Sequence, residues 1–256
     1  AETEEGDASD QQENQSDVAS KARLWNREES DSDRQKSAST PSRSSGSATV
    51  EDATPDAPTG DARDSREGGQ LADRQFTPGT NVLVQSGSQD DRTHGVCQDL
   101  LYSGSSDPYA LLVRYRKMDP ERLGQIASHT HHTKVIAVGY SQPTPASEDA
   151  NVECVQINSP NDITRLGILV SGTLDDWADD GRDITFCYDS LNVLLNYRDV
   201  KSTFRFLHVF LSTLDQAEAI GHFHVDSVGG NPQDISTLKP LFDEIVSIDS
   251  VGIHLE

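Results

Sequence analysis

The run Asp183 to Leu195, DITFCYDSLNVLL, reads as an apolar strand that carries Asp189 and Ser190 to its end and then turns into a helix. A carboxylate at the C-terminal edge of such a strand can reach Mg2+ or a metal-bound water, which is the work of a Walker B strand in a nucleotide-binding α/β fold. The phosphate cradle that such a strand faces has the form G-x-x-x-x-G-K-[ST], and no such segment occurs in the 256 residues. Asp189 also has a structural reading, as a cap with Ser190 on the helix that opens at Leu191. With the cradle altered, the structural role is the expectation. Asn158, Ser159 and Asp162 stand at another strand end, where they could line the same crevice or cap the following helix.

A second set is His222, His224 and Asp226, spaced by two along one strand. Period-two geometry puts the three on one face, as a His, His, carboxylate group of the kind that binds Fe(II) or Zn2+. Same-face neighbours on a strand lie about 7 Å apart, which favours hydrogen-bonded histidines near a cleft rim over three ligands to one ion. Asp226, beyond the strand's end, is the best-placed ligand of the three. His129, His131 and His132 lack helical spacing and read as a solvated turn. Cys97, Cys154 and Cys187 are scattered among apolar neighbours and read as small buried hydrophobes. Ser86, Ser88 and Ser190 fall near the crevice, yet QSGSQ lacks the first glycine of a G-x-S-x-G elbow. Cys187 lies within a strand, where burial removes thiolate character.

These residues need a scaffold, and the hydrophobic pattern supplies one from Phe76 onward. NVLVQ (81–85), ALLVRY (110–115), KVIAV (134–138), VECVQI (152–157), the Asp189 strand and AIGHFHV (219–225) read as strands. Between them fall helices over about 95–101, from Pro120 to about His129 with Asp119 as cap, 163–178, 200–215 and 235–241. Strands alternating with helices imply a mostly parallel sheet covered on both faces. EIVSI and GIHL, across Asp249-Ser250, predict an antiparallel hairpin at the sheet edge. Residues 1–75 hold few large apolar side chains, Leu24, Trp25 and Leu71 among them, so a disordered acidic tail is expected ahead of one α/β domain over 76–256. Within that tail, KARLWNREES reads as a linker segment, with a short helix formed on binding a partner as the alternative.

Acidic residues outnumber basic ones 43 to 21, for a formal net charge of −22. Such a surface repels nucleic acid and resembles that of proteins kept in molar salt, where screening relieves self-repulsion. No apolar run reaches the eighteen or so residues that span a bilayer, and no secretory leader pattern is present. A soluble protein of a salt-rich cytoplasm is expected, without nucleic acid or membrane as partner.

The hhhhDS strand at Asp189-Ser190 running into LNVLL, the FRFLHVFL helix after it and the HFHVD strand resemble the core of the RecA-like ATPases of the KaiC type. More narrowly, the chain resembles an uncharacterised haloarchaeal family with that core, in which a segment like NSPNDITRLGI precedes the Asp-Ser strand. The resemblance covers about Thr80 to Leu255 and implies a RecA-like (P-loop NTPase-type) fold. The chain departs from it in QSGSQDDRTHGVCQDLL, at the position of the phosphate loop. With Gly87 as the first loop glycine, Arg92 falls at the second, Thr93 at the lysine and His94 at the hydroxyl. The candidate nucleotide or anion loop is therefore Ser86, Gly87, Ser88, Arg92 and Thr93, with Asp90 and Asp91 adding negative charge beside it. The expectation is a non-catalytic regulatory or signalling protein without a cofactor. It would act through contacts with a protein partner, a homologous RecA/KaiC-like subunit or copies of itself. The alternative is a divergent nucleotide-binding protein or NTPase that uses Asp189 with Mg-ATP.

Overall fold

The computed structural model describes residues 71, 74–87, 90–104, 106–142 and 151–256. Eight strands form one sheet: β1 (Asn81–Ser86), β2 (Tyr109–Arg114), β3 (His132–Val138), β4 (Val152–Ile157), β5 (Ile184–Asp189), β6 (Ile220–Asp226), β7 (Glu244–Ile248) and β8 (Ile253–Leu255). The helices are α1 (Arg92–Leu101), α2 (Pro120–Ala127), α3 (Ile163–Ala178), α4 (Leu191–Tyr197), α5 (Val200–Gln216) and α6 (Pro232–Leu238). The strand order is β4-β3-β2-β5-β6-β1-β7-β8, with every pairing parallel except the antiparallel β7–β8 edge. This is the expected α/β class, a mostly parallel sheet flanked by helices, with the terminal hairpin at the edge as the sequence predicts.

Every residue of β1 and β2 is buried, as two-faced coverage of a parallel sheet requires. One face carries Leu111, Val113, Phe186, Tyr188 and Phe223 against Leu174 of α3 and Phe206, Phe210 and Leu214 of α5. The other face packs Leu112, Val135 and Cys187 against Cys97 and Leu101 of α1 and Leu123 and Ile126 of α2. Near β1 and β7, Leu71 and Phe76 join Val82, Val84, Val96 and Val246, so side chains ahead of Phe76 already engage the core. Arg74 pairs with Glu244 at 2.7 Å, and residues 1–70, 72 and 73 of the expected tail, KARLWNREES included, lie outside the described residues.

Local signals set the helix starts. Asp119 accepts the Glu121 amide at 2.8 Å with Pro120 at the first position. Asp162 accepts the Arg165 amide at 3.0 Å and Asp199 accepts the Ser202 amide at 2.9 Å. Some boundaries differ from expectation, the start of α6 at Pro232 rather than Ile235 among them. Helix α1 begins at Arg92, three residues earlier than the apolar pattern implies, because Thr93 and His94 complete backbone turns onto Asp90 and Asp91. The helix expected to end at Leu241 stops at Leu238 and tightens into a 3-10 turn, Lys239–Leu241, at Pro240. His132 also departs from the solvated turn: it opens β3 and stands edge-on to Trp177.

Candidate functional site

Sheet register gathers the chemistry. Across β2, β5 and β6, Arg114 pairs with Asp189 and Asp189 with His224. One same-face step back, Leu112 pairs with Cys187 and Cys187 with His222. All of these side chains lie on the face that α1 covers. The sheet's carboxyl edge thus opens into a crevice lined by Ser86, Gly87, Asp90, Thr93, His94, Cys97, Arg114, Arg116, Arg122, Asp189, Ser190, His224, Val225 and Asp226. Its volume is about 80 Å3, whereas small-molecule sites hold roughly 300–1,000 Å3.

Asp189 is engaged by a cation. The Arg114 guanidinium places Nη1 2.7 Å from Asp189 Oδ2, with both side chains largely buried, and exposed Arg116 approaches Oδ1 at 4.0 Å. The expected cap is not formed: Ser190 occupies the N-cap position of α4 without a side-chain hydrogen bond, and the Asp189 carboxylate faces Arg114 instead. The Asp189–Ser190 peptide is cis. Asn158, Ser159 and Asp162 serve the chain leading into α3, with Asp162 as its cap, and are not part of the crevice lining.

The candidate anion loop is only partly brought together. Ser86, Gly87 and Thr93 line the crevice, and the Thr93 hydroxyl is buried without a hydrogen-bond partner. Arg92 is not among the lining residues: its Nε and Nη2 donate to Asp90 at 3.0 and 2.7 Å, and Nη2 also donates to the Asp249 carbonyl at 2.5 Å. Those hydrogen bonds hold the Asp90 carboxyl below its usual range. Ser88 lies outside the described residues. The Mg-ATP that the resemblance to RecA-like ATPases implies does not fit these residues: no lysine stands in the loop, Arg92 donates to Asp90, and the Asp189 carboxylate is paired with Arg114.

Below the crevice lies a group that sequence spacing does not disclose. Cys97 of α1, Cys187 of β5, and His222 and His224 of β6 are all buried, with one ligand atom from each within 4.8 Å of the others. Cys97 Sγ is 3.9 Å from Cys187 Sγ and 3.4 Å from His222 Nε2, and the two imidazoles meet edge to face at 5.2 Å. Among the described residues, His222 Nδ1 and both nitrogens of His224 are buried without hydrogen-bond partners. Hydrogen bonding from Cys187 lowers the Cys97 thiol well below the ordinary value, and burial pushes His222 down. This corrects the His222, His224, Asp226 set. Asp226 turns its Oδ1 to the amides of Val228 and Gly229 at 2.9 Å each, while two cysteines stand with the histidines. Cys97 and Cys187 are buried in the apolar cluster, as expected, and stand within reach of both imidazoles. The arginines were missed as well, although Arg114 ending an otherwise apolar strand is a visible signal.

Among solved structures, the chain is similar to the PH0250 protein of Pyrococcus horikoshii OT3, at TM-score 0.46 and 11% identity over 70% of this chain and 87% of that one. It is similar to the uncharacterised protein PH0321 of Pyrococcus horikoshii, solved with an unknown peptide, at TM-score 0.45 and 11% identity over 70% and 82% of the two chains. A prototypical ATPase from the type III secretion system of pathogenic bacteria gives TM-score 0.41 and 12% identity, over 69% of this chain and 55% of the ATPase. No curated protein matches the chain. Every strand from β1 to β7, and with them the crevice and the buried thiols and imidazoles, falls within residues 79–248, and by the match over that segment the chain belongs to the family of unknown function DUF7504.

Proposed function

We propose that this protein is a non-catalytic regulatory or signalling domain with a RecA/KaiC-like core, acting through protein contacts in a halophilic archaeal cytoplasm. The observation that carries the reading is the 2.7 Å ion pair between Arg114 and Asp189. A Walker B carboxylate works by facing a metal ion or its water, and here a buried guanidinium faces it. Placing Mg2+ there would set a divalent cation beside Arg114 and leave that arginine without its counter-ion. The tethering of Arg92 and the small crevice support the same conclusion. A core of this kind retains the helix faces and sheet edges through which domains pair, so a homologous subunit or a second copy is the partner proposed.

A divergent nucleotide-binding protein is the second reading. It is favoured by Arg114, Arg116, Arg122 and His94 lining one crevice with Asp189. Calorimetry with Mg-ATP and Mg-GTP in about molar KCl, the screened regime suited to this charge, separates the two. The non-catalytic reading expects no heat of binding from folded protein and a self-associated or partner-bound species by light scattering. Micromolar binding that disappears in Asp189→Ala would overturn it in favour of the second.

A further inference from the structure

We infer that Cys97, Cys187, His222 and His224 form a Zn2+ site that pins α1 to the centre of the sheet. A tetrahedral Zn2+ with Zn–S near 2.3 Å and Zn–N near 2.05 Å sets its sulfurs about 3.8 Å apart and sulfur from nitrogen about 3.6 Å. The structure has 3.9 Å between the Cys97 and Cys187 sulfurs and 3.4 Å from Cys97 Sγ to His222 Nε2. All four ligand atoms lie within 4.8 Å of one another. The ligands come from three elements, α1, β5 and β6, and the register that pairs Cys187 with His222 is part of the central sheet.

The unmet hydrogen-bonding capacity is the independent sign of a missing partner. Buried polar nitrogens without partners are costly. Here both nitrogens of His224 lack a partner. An ion at the centre of the group takes one nitrogen from each ring and both sulfurs. Two thiolates with two imidazoles in a compact set favour Zn2+ over the hard cations Mg2+ and Ca2+, which take oxygen ligands. Four protein ligands fill a tetrahedral shell and leave no open position for a substrate, so the role is structural. The ion reaches the site through the crevice, which both Cys97 and His224 line. Because α1 begins at the loop where a phosphate cradle would stand, the ion fixes that loop's exit on the sheet. This inference goes beyond the proposed function and holds whether or not a nucleotide binds.

The test uses the full chain in molar KCl, reduced, stripped with a chelator and titrated with Co2+ as a spectroscopic probe, then with Zn2+. One equivalent of Co2+ should give a thiolate-to-cobalt charge-transfer band with the intense visible bands of tetrahedral coordination, and Zn2+ should abolish both. Cys187→Ser and His224→Ala should each weaken Zn2+ binding by more than about 100-fold, beyond the usual effect of losing an outer-shell partner. Cys154→Ser, on edge strand β4, should leave the spectrum unchanged. If a ligand variant fails to fold, the natural chain still decides: its melting temperature should rise with one equivalent of Zn2+. Stripped protein that is folded by circular dichroism and gives no charge-transfer band overturns the inference. So does Co2+ binding that persists in Cys97→Ser/Cys187→Ser, which would put the metal on surface carboxylates. A Cys97–Cys187 disulfide that, once reduced, gains no metal overturns it too.

Discussion

Arg114 and Asp189 show how a single pair can decide what a crevice does. Removing one partner of a buried ion pair strands the other charge, at a cost of about 3 kcal/mol. Arg114→Ala is therefore expected to lower the unfolding free energy by about 3 kcal/mol, with much of the loss recovered in Arg114→Met/Asp189→Asn. Chemical denaturation of the natural chain, Arg114→Met, Asp189→Asn and the double variant measures the coupling, and strictly additive losses would remove the pair from the account. Asp99, on α1, makes a second residue-scale case. Its Oδ2 is buried without a partner, and burial pushes its carboxyl up to about 6. Between the unfolded carboxylate range and that value the folded state holds a proton that the unfolded chain releases, so the penalty of burying the charge is full at neutral pH and fades as pH falls through that window. Asp99→Asn should stabilise the protein by about 1 kcal/mol near pH 7, after allowance for partial exposure, with the gap closing towards about pH 4. A gap of equal size at both pH values would contradict burial as the cause.

At the scale of elements, caps separate the helices that the sequence specifies locally from those, α1 and α4, that have no side-chain cap. Asp199 accepts the Ser202 amide and hydroxyl at 2.9 Å each, and those bonds hold its carboxyl below the usual range. A depressed folded value means that this stability is present in full above the unfolded carboxylate range and is lost as pH falls through the folded value. Asp199→Ala should thus cost about 1 kcal/mol at neutral pH, and less in acid, by thermal unfolding. Ser190 holds the same position on α4 without a side-chain bond. Ser190→Ala should leave stability nearly unchanged, because buried Leu191 and Leu194 anchor that helix. A loss at Ser190 as large as at Asp199 would show that α4 is capped after all.

For the whole molecule, charge governs the response to solvent. A formal charge of −22 on 256 residues repels itself at low ionic strength, and a Debye length that shrinks from about 10 Å at 0.1 M to about 3 Å at 1 M relieves that repulsion. The melting temperature should climb steadily with KCl across that range, and a flat or falling curve would remove the halophilic argument. Among the described residues, no helix is long and apolar enough to cross a membrane.

Much of the fold was legible because its signals are local. Unbroken apolar strands, caps at Asp119 and Asp162, and the Asp249-Ser250 turn depend on residues a few positions apart, and they predicted the α/β class and the edge hairpin. The sequence alone also shows that no G-x-x-x-x-G-K-[ST] segment occurs, since a missing lysine and glycine need no coordinates to be seen. The tertiary structure decided the site. Whether Asp189 caps a helix or meets a cation depends on β2 lying beside β5, a pairing between segments 75 residues apart. Cys97 stands 90 residues from Cys187 and 125 from His222, and no spacing rule joins them. Only the order of parallel strands, with α1 laid across β5 and β6, brings two thiols and two imidazoles to one point. Sheet register is set by the burial of whole faces, so contacts across it emerge only when the sheet is assembled.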